Sequence, residues 1–181
     1  MKKRICTLLL ALCLTLGLLP AAAQAAGDGS GTFDTVRWTL DADGGLTVSG
    51  TGDLPDSAFA GRTDIVTVTF TGQVARIGRS AFAGCTQLRR VDGFGAVTCV
   101  MSQAFAGCTA LTELAVPGTV TEIGTGAFSA CTGLTAVTLA PGVRSLGAYA
   151  FAACTALRRI DLPDGMTLLG SGLFSGCTAL T

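Results

Sequence analysis

Downstream of Ala26, six cysteines carry most of the chemistry this sequence could offer: Cys85, Cys99, Cys108, Cys131, Cys154 and Cys177. An even number of thiols in an exported chain suggests disulfides, and clustered thiols suggest a metal. Their spacing argues for neither. All but Cys99 recur at one constant interval, so in a repeating fold they stack as a column. Stacked positions have near-parallel Cβ vectors, a poor match to the dihedral near 90° that a disulfide needs. No C-x₂₋₄-C pair of the zinc-binding kind occurs. The expectation is a column of buried free thiols, each filling the same turn of successive units. Cys99 stands outside the column, with Arg76 and Glu122 at the matching register of neighbouring units. It is either an exposed reactive thiol or a partly buried irregularity.

Other chemistry is excluded by what is missing. The sequence contains no His, which removes the Ser-His-Asp and Cys-His mechanisms and the commonest metal ligand. It contains no Asn, hence no N-glycosylation acceptor, and its only Lys residues are Lys2 and Lys3, so no glycine-rich phosphate loop with a following Lys exists. Asp41 and Asp43 beside Gly44-Gly45 faintly resemble a calcium loop, but no further ligand follows at the required distance, and a turn fits better. The reading is of a chain with no catalytic residues, no cofactor and no metal site.

The elements that would position any functional group begin after a leader. Lys2, Lys3 and Arg4 precede a largely apolar, uncharged run from Ile5 to Leu19, then Pro20 and the small residues around Ala23 to Ala26. This order predicts a secretory signal peptide over residues 1–26, cleaved after Ala23, Ala25 or Ala26. The remaining chain holds nine Arg and all twelve acidic residues, a net charge of about −3. Nucleic acid and anionic membrane, which call for a basic surface, are therefore not expected partners.

Internal periodicity sets the architecture. Phe59, Phe82, Phe105, Phe128, Phe151 and Phe174 are evenly spaced at the interval of the column cysteines, and each column Cys is followed in turn by Leu88, Leu111, Leu134, Leu157 or Leu180 at the same short offset. Alternating residues such as Leu114 and Val116 point inward from a short strand while Glu113 and Ala115 point out. A second short extended piece, with Val120 and Ile123 as its apolar residues, turns the chain back. Gly78, Gly124, Gly147 and Gly170 share one register, suited to a turn with positive φ. One unit cannot bury its own Leu and Phe, but stacked units can. The 23-residue period falls in the leucine-rich-repeat range, which predicts a repeat solenoid over residues 57–181 with a parallel strand ladder, mainly β and irregular. About six repeats are expected, the last truncated. Val36, Trp38 and Leu40, an Asp/Gly turn, then Leu46 and Val48 predict a β-hairpin over residues 27–56 that caps the first rung.

The run Ile123-Gly124-Thr125-Gly126-Ala127-Phe128-Ser129-Ala130-Cys131-Thr132-Gly133-Leu134-Thr135-Ala136-Val137-Thr138-Leu139 resembles the BspA-like leucine-rich repeat of bacterial surface proteins, and the resemblance extends from Ser57 to Thr181. The segment from Trp38 to Gly52 is similar to the piece that often precedes such arrays. The sequence departs from the pattern at Arg62, which replaces a column Cys, at Gly93, where an inward aliphatic belongs, and at Met101, where Gly is usual. It also stops at Thr181, where the sixth strand should begin, which predicts a fragment or a truncated reading frame.

A solenoid binds through its outward columns. One runs Thr67, Arg90, Glu113, Ala136, Arg159, and the next Thr69, Asp92, Ala115, Thr138, Asp161, flanked by Arg89 and Arg158. The candidate binding residues are Arg89, Arg90, Asp92, Glu113, Thr138, Arg158, Arg159 and Asp161. The plainer alternative is a solvated face with Arg90–Glu113 and Arg90–Asp92 pairs, each worth under about 1 kcal/mol. The resemblance implies an exported binding or adhesion protein, secreted or at a bacterial surface, whose partner is an extracellular protein or glycan. The second reading is the non-catalytic repeat region of a longer secreted enzyme.

Overall fold

Period-2 alternation in short segments separated by turns produces strands wherever a neighbouring rung can complete the backbone hydrogen bonds. The computed structural model describes residues 29–181, so the leader expected over residues 1–26 lies outside the described residues. The described residues contain thirteen strands and no helix. β1 (Gly29–Phe33), β2 (Val36–Leu40) and β3 (Gly45–Leu54) form an antiparallel meander. The predicted hairpin is β2–β3, with Leu40 opposite Leu46; β1 is an added strand.

β3 converts the meander into a solenoid. Its first half, Gly45 to Val48, pairs in parallel with β4 (Thr67–Phe70), and its second half, Thr51 to Leu54, pairs in parallel with β5 (Gln73–Ile77). Gly50 and Gly52 between them adopt φ of 98°, a backbone bend that other residues resist. Two parallel stacks then run along the molecule. The longer continues from β5 through β7 (Cys99–Val100), β9 (Glu122–Ile123), β11 (Ser145–Leu146) and β13 (Leu168–Leu169). The other holds β4 and β6 (Arg90–Gly93), then β8 (Glu113–Val116), β10 (Ala136–Leu139) and β12 (Arg159–Asp161).

This second stack is broken. β6 pairs only with β4, and β8 only with β10. The irregular second repeat is the cause. Gly93 supplies no inward side chain, so Phe94 turns in instead, is buried, and stacks on Phe70 with ring centroids 6.4 Å apart. Moving the inward residue by one position slips the register, so that Thr69 faces Gly93 rather than Asp92. Across the seam, Pro117 has no amide to donate, and the contact from the Thr112 amide to the Arg89 carbonyl is long, at 3.5 Å.

Between the stacks lies the core, built of columns. Phe82, Phe105, Phe128 and Phe151 are fully buried and stack nearly face to face at 5.0 to 5.5 Å. Phe33 and Trp38 close the upper end of this column, each meeting Phe59 edge-on at 5.6 Å. That is the capping role expected of the N-terminal piece. Arg62 belongs to the same closure. It stands where later rungs have Cys, lies over the Trp38 ring at 5.6 Å, and forms a bidentate pair with Asp64 at 2.5 and 2.8 Å. The hydrogen bond from Arg62 holds the Asp64 carboxyl below its ordinary range.

The glycine expectation needs correction. Gly78, Gly124, Gly147 and Gly170 do not have positive φ. They are glycine because the preceding rung's backbone lies against them. A Cβ would meet the Leu54 carbonyl oxygen at 2.5 Å from Gly78, the Ser102 nitrogen at 2.7 Å from Gly124 and the Thr125 nitrogen at 2.5 Å from Gly147; at Gly170 it would meet the Ala148 nitrogen. The left-handed turn falls two positions later, at Ser57, Ser80, Gln103, Gly126, Tyr149 and Gly172, with φ between 51° and 63°. A second left-handed column runs through Gly61, Gly84, Gly107, Ala130, Ala153 and Gly176.

Candidate binding face

The cysteine column is structural. Cys85, Cys108, Cys131 and Cys154 are fully buried free thiols, and Cys177 is half-buried. Each thiol donates to a Phe carbonyl one rung back: Cys85 to Phe59, Cys108 to Phe82, Cys131 to Phe105, Cys154 to Phe128 and Cys177 to Phe151, at 3.0 to 3.2 Å. Because every sulfur is committed to the previous rung, the parallel Cβ vectors predicted from the register are reinforced by a hydrogen bond. Burial pushes Cys85, Cys131 and Cys154 up to about 12 and Cys108 higher still. Cys99 is half-buried, and burial followed by the Glu122 carboxylate raises its thiol as well, so it is the partly buried irregularity rather than an activated nucleophile.

The outward columns fall where the alternation places them, with two changes. Glu113, Ala136 and Arg159 are in register, as are Ala115, Thr138 and Asp161, and Thr67 faces Arg90. Asp92 leaves its expected column because of the slip against β4. All eight predicted residues are exposed, but the seam divides them. Arg89, Arg90 and Asp92 lie at or beside β6. Thr138, Arg158, Arg159 and Asp161 lie at or beside β10 and β12, and Glu113 lies on β8.

On this face ion pairing follows strands rather than rungs, unlike the Arg76–Asp53 pair, which joins β5 to β3 on the other stack. Arg90 pairs with Asp92, and Arg159 with Asp161 at 2.7 Å, each partner two positions along one strand and therefore on one face. The expected Arg90–Glu113 pair does not form, since those residues face each other across the unpaired seam; among the described residues Glu113 has no ion pair. These exposed pairs contribute little stability.

A shallow depression of about 510 Å³ on this face is lined by Thr135, Ala136, Val137, Thr138, Arg158, Arg159 and Asp161. Four of its residues were predicted. Thr135, Ala136 and Val137 were not, although Ala136 standing between Glu113 and Arg159 in its column signals a notch where a long side chain is missing. The depression offers guanidinium donors, the Thr138 hydroxyl and one carboxylate over a floor of paired strands, while the Thr135 hydroxyl already donates to the Thr112 carbonyl at 3.0 Å. Asp41 accepts from the amides of Asp43 and Gly45 at 3.0 and 2.7 Å, so it closes the β2–β3 turn, as expected.

Comparison with known proteins places this geometry. A search of curated proteins found no match. Among solved structures, a leucine-rich repeat protein from Bacteroides ovatus ATCC 8483 is 32% identical with a TM-score of 0.68, over 74% of this chain and 35% of that one. This chain therefore spans about a third of that protein's length. The T. pallidum leucine-rich repeat protein is 25% identical with a TM-score of 0.57, over 83% of this chain and 90% of that one. The family described as BspA type leucine rich repeat region matches residues 52–181 in six copies. With the repeating rungs and stacked Phe, Cys and Leu columns described above, the match establishes that this chain belongs to the BspA-type leucine-rich repeat family.

Proposed function

We propose that this chain is an exported binding scaffold, secreted or held at a bacterial surface, which takes an extracellular protein or glycan on the face formed by β8, β10 and β12. The observation that carries the reading is the depression at β10 and β12, where Arg158, Arg159, Asp161, Thr135 and Thr138 converge around the notch at Ala136. Arg158 has no ion pair among the described residues, so its donors remain free for a ligand. Arg159 and Asp161 are already oriented by each other, which lowers the entropy lost on binding. Donors, a hydroxyl and a carboxylate on one patch match the alternating polar groups of a sugar chain or an extended peptide. The family and the leader-like opening segment, Met1 to Ala26, support an extracellular setting.

The test is a binding screen of the purified chain against glycan and protein arrays, followed by affinity measurement on any hit. Arg158→Ala combined with Arg159→Ala should weaken binding by at least about tenfold, which is about 1.4 kcal/mol, while leaving the thermal midpoint unchanged. Arg144→Ala, outside the depression, should leave affinity intact. Equal affinity in the patch variant would overturn the assignment of this face.

A further inference from the structure

The second repeat is irregular on both stacks. Its seam is on one, and on the other Cys99 and Met101 stand together. Met101 occupies the register that is glycine in the three rungs after it, and its side chain lies beside Cys99, with Sγ and Sδ 3.5 Å apart. Cys99 is unlike the five column thiols. They donate to a backbone carbonyl, whereas its partner is a thioether. The pair is half-buried, and residues two apart at a strand end project to one side.

We propose that Cys99 and Met101 form a binding site for a soft, thiophilic monovalent cation, copper(I), held between the thiolate and thioether sulfurs. An ion about 2.3 Å from each sulfur, with the sulfurs 3.5 Å apart, subtends an S–metal–S angle of about 100°, close to tetrahedral. The remaining positions are open to solvent or a small exogenous ligand. A thiolate and a thioether without imidazole select copper(I) over harder ions. The flanking charges favour a cation. Along the ladder, Cys99 lies between Arg76 and Glu122, and Arg76 is already paired with Asp53 at 3.2 Å. Glu122 has no ion pair among the described residues, so the neighbourhood is net negative before the thiol ionises. Binding breaks the S–H bond, releases the proton to solvent and forms the S–Cu bond, with no change in the oxidation state of copper.

The site lies on the stack away from the proposed ligand face and stands independently of that function. The experiment is anaerobic titration of the purified, reduced chain with copper(I) against a chromogenic copper(I) chelator. One copper per chain is expected, lost in Cys99→Ser. Losing even an outer-shell partner costs metal sites about 10–100-fold, so Met101→Leu should weaken binding by at least that much. Cys177→Ser, which removes the other half-buried thiol, should change nothing. X-ray absorption should find two sulfur neighbours in the wild type and one in Met101→Leu. Three results would each overturn the proposal: no binding in competition with the chelator, loss in Cys177→Ser instead, or unchanged affinity in Met101→Leu.

Discussion

The cysteine column makes this fold sensitive to alkali, and the size of the effect follows from the structure. In the unfolded chain a thiol ionises near 9.0; in the folded chain burial moves Cys85, Cys131 and Cys154 to about 12. A folded pKa above the unfolded value means that the native state holds its proton longer. Its contribution is fully present below pH 9 and is lost as pH climbs toward 12. Each thiol costs about 1.4 kcal/mol per pH unit in that window. Cys108, raised further still, loses the same amount in this window, so four thiols over one and a half units give about 8 kcal/mol by pH 10.5, against a total stability of about 5–15 kcal/mol for a domain. Urea unfolding under reducing conditions, followed by far-ultraviolet circular dichroism at pH 8, 9, 10 and 10.5, should show a flat stability to pH 9 and a steep fall beyond it. Cys131→Ala begins less stable, because the Phe105 carbonyl loses one of its two donors and keeps only the Cys108 amide. Its decline above pH 9 should be shallower than the wild type's by about 1.4 kcal/mol per unit. A wild type with constant stability from pH 8 to 10.5, or a variant with the wild-type slope, would refute the reasoning.

Three further outcomes follow from the rungs. Gly147→Ala should destabilise by about 2 kcal/mol or more, since its Cβ would sit 2.5 Å from the Thr125 nitrogen. Ala153→Gly, at φ of 58°, should instead gain up to about 1 kcal/mol by relieving a left-handed alanine; thermal melts of both variants check the pair. Phe105→Ala, in the middle of the aromatic column, should cost about 3–5 kcal/mol, and Phe174→Ala, half-buried at its end, clearly less, as read from denaturant midpoints. Hydrogen exchange should find the amides of Glu113 to Val116, beside the seam, less protected than those of Ala136 to Leu139, which sit in an unbroken ladder; equal protection would mean that the seam closes in solution.

Much of the architecture was present in the order of residues alone. Phe, Leu and Cys recurring at one fixed period require stacking, because no single rung can bury them. The alternation in Glu113-Leu114-Ala115-Val116 assigns faces without reference to any neighbour, since side-chain direction in a strand is a local property. Hence the solenoid, the thiol column, the cap around Trp38 and the outward positions of Arg90, Glu113, Thr138 and Arg159 were legible. What the tertiary structure decided are relations between rungs. Gly78, Gly124 and Gly147 are glycine because another backbone touches them, not because of their own φ. The left-handed turns hide at Ser80, Gln103 and Tyr149, residues whose type does not announce that conformation. Phe94 replacing Gly93 in the core displaced Asp92, parted β6 from β8 and left Arg90 out of reach of Glu113. The same dependence on neighbours gathered Arg158, Arg159 and Thr138 around Ala136 and set Met101 against Cys99. Periodicity states which side of a strand each residue takes; only the packed rungs state how closely two backbones approach and whether their registers agree.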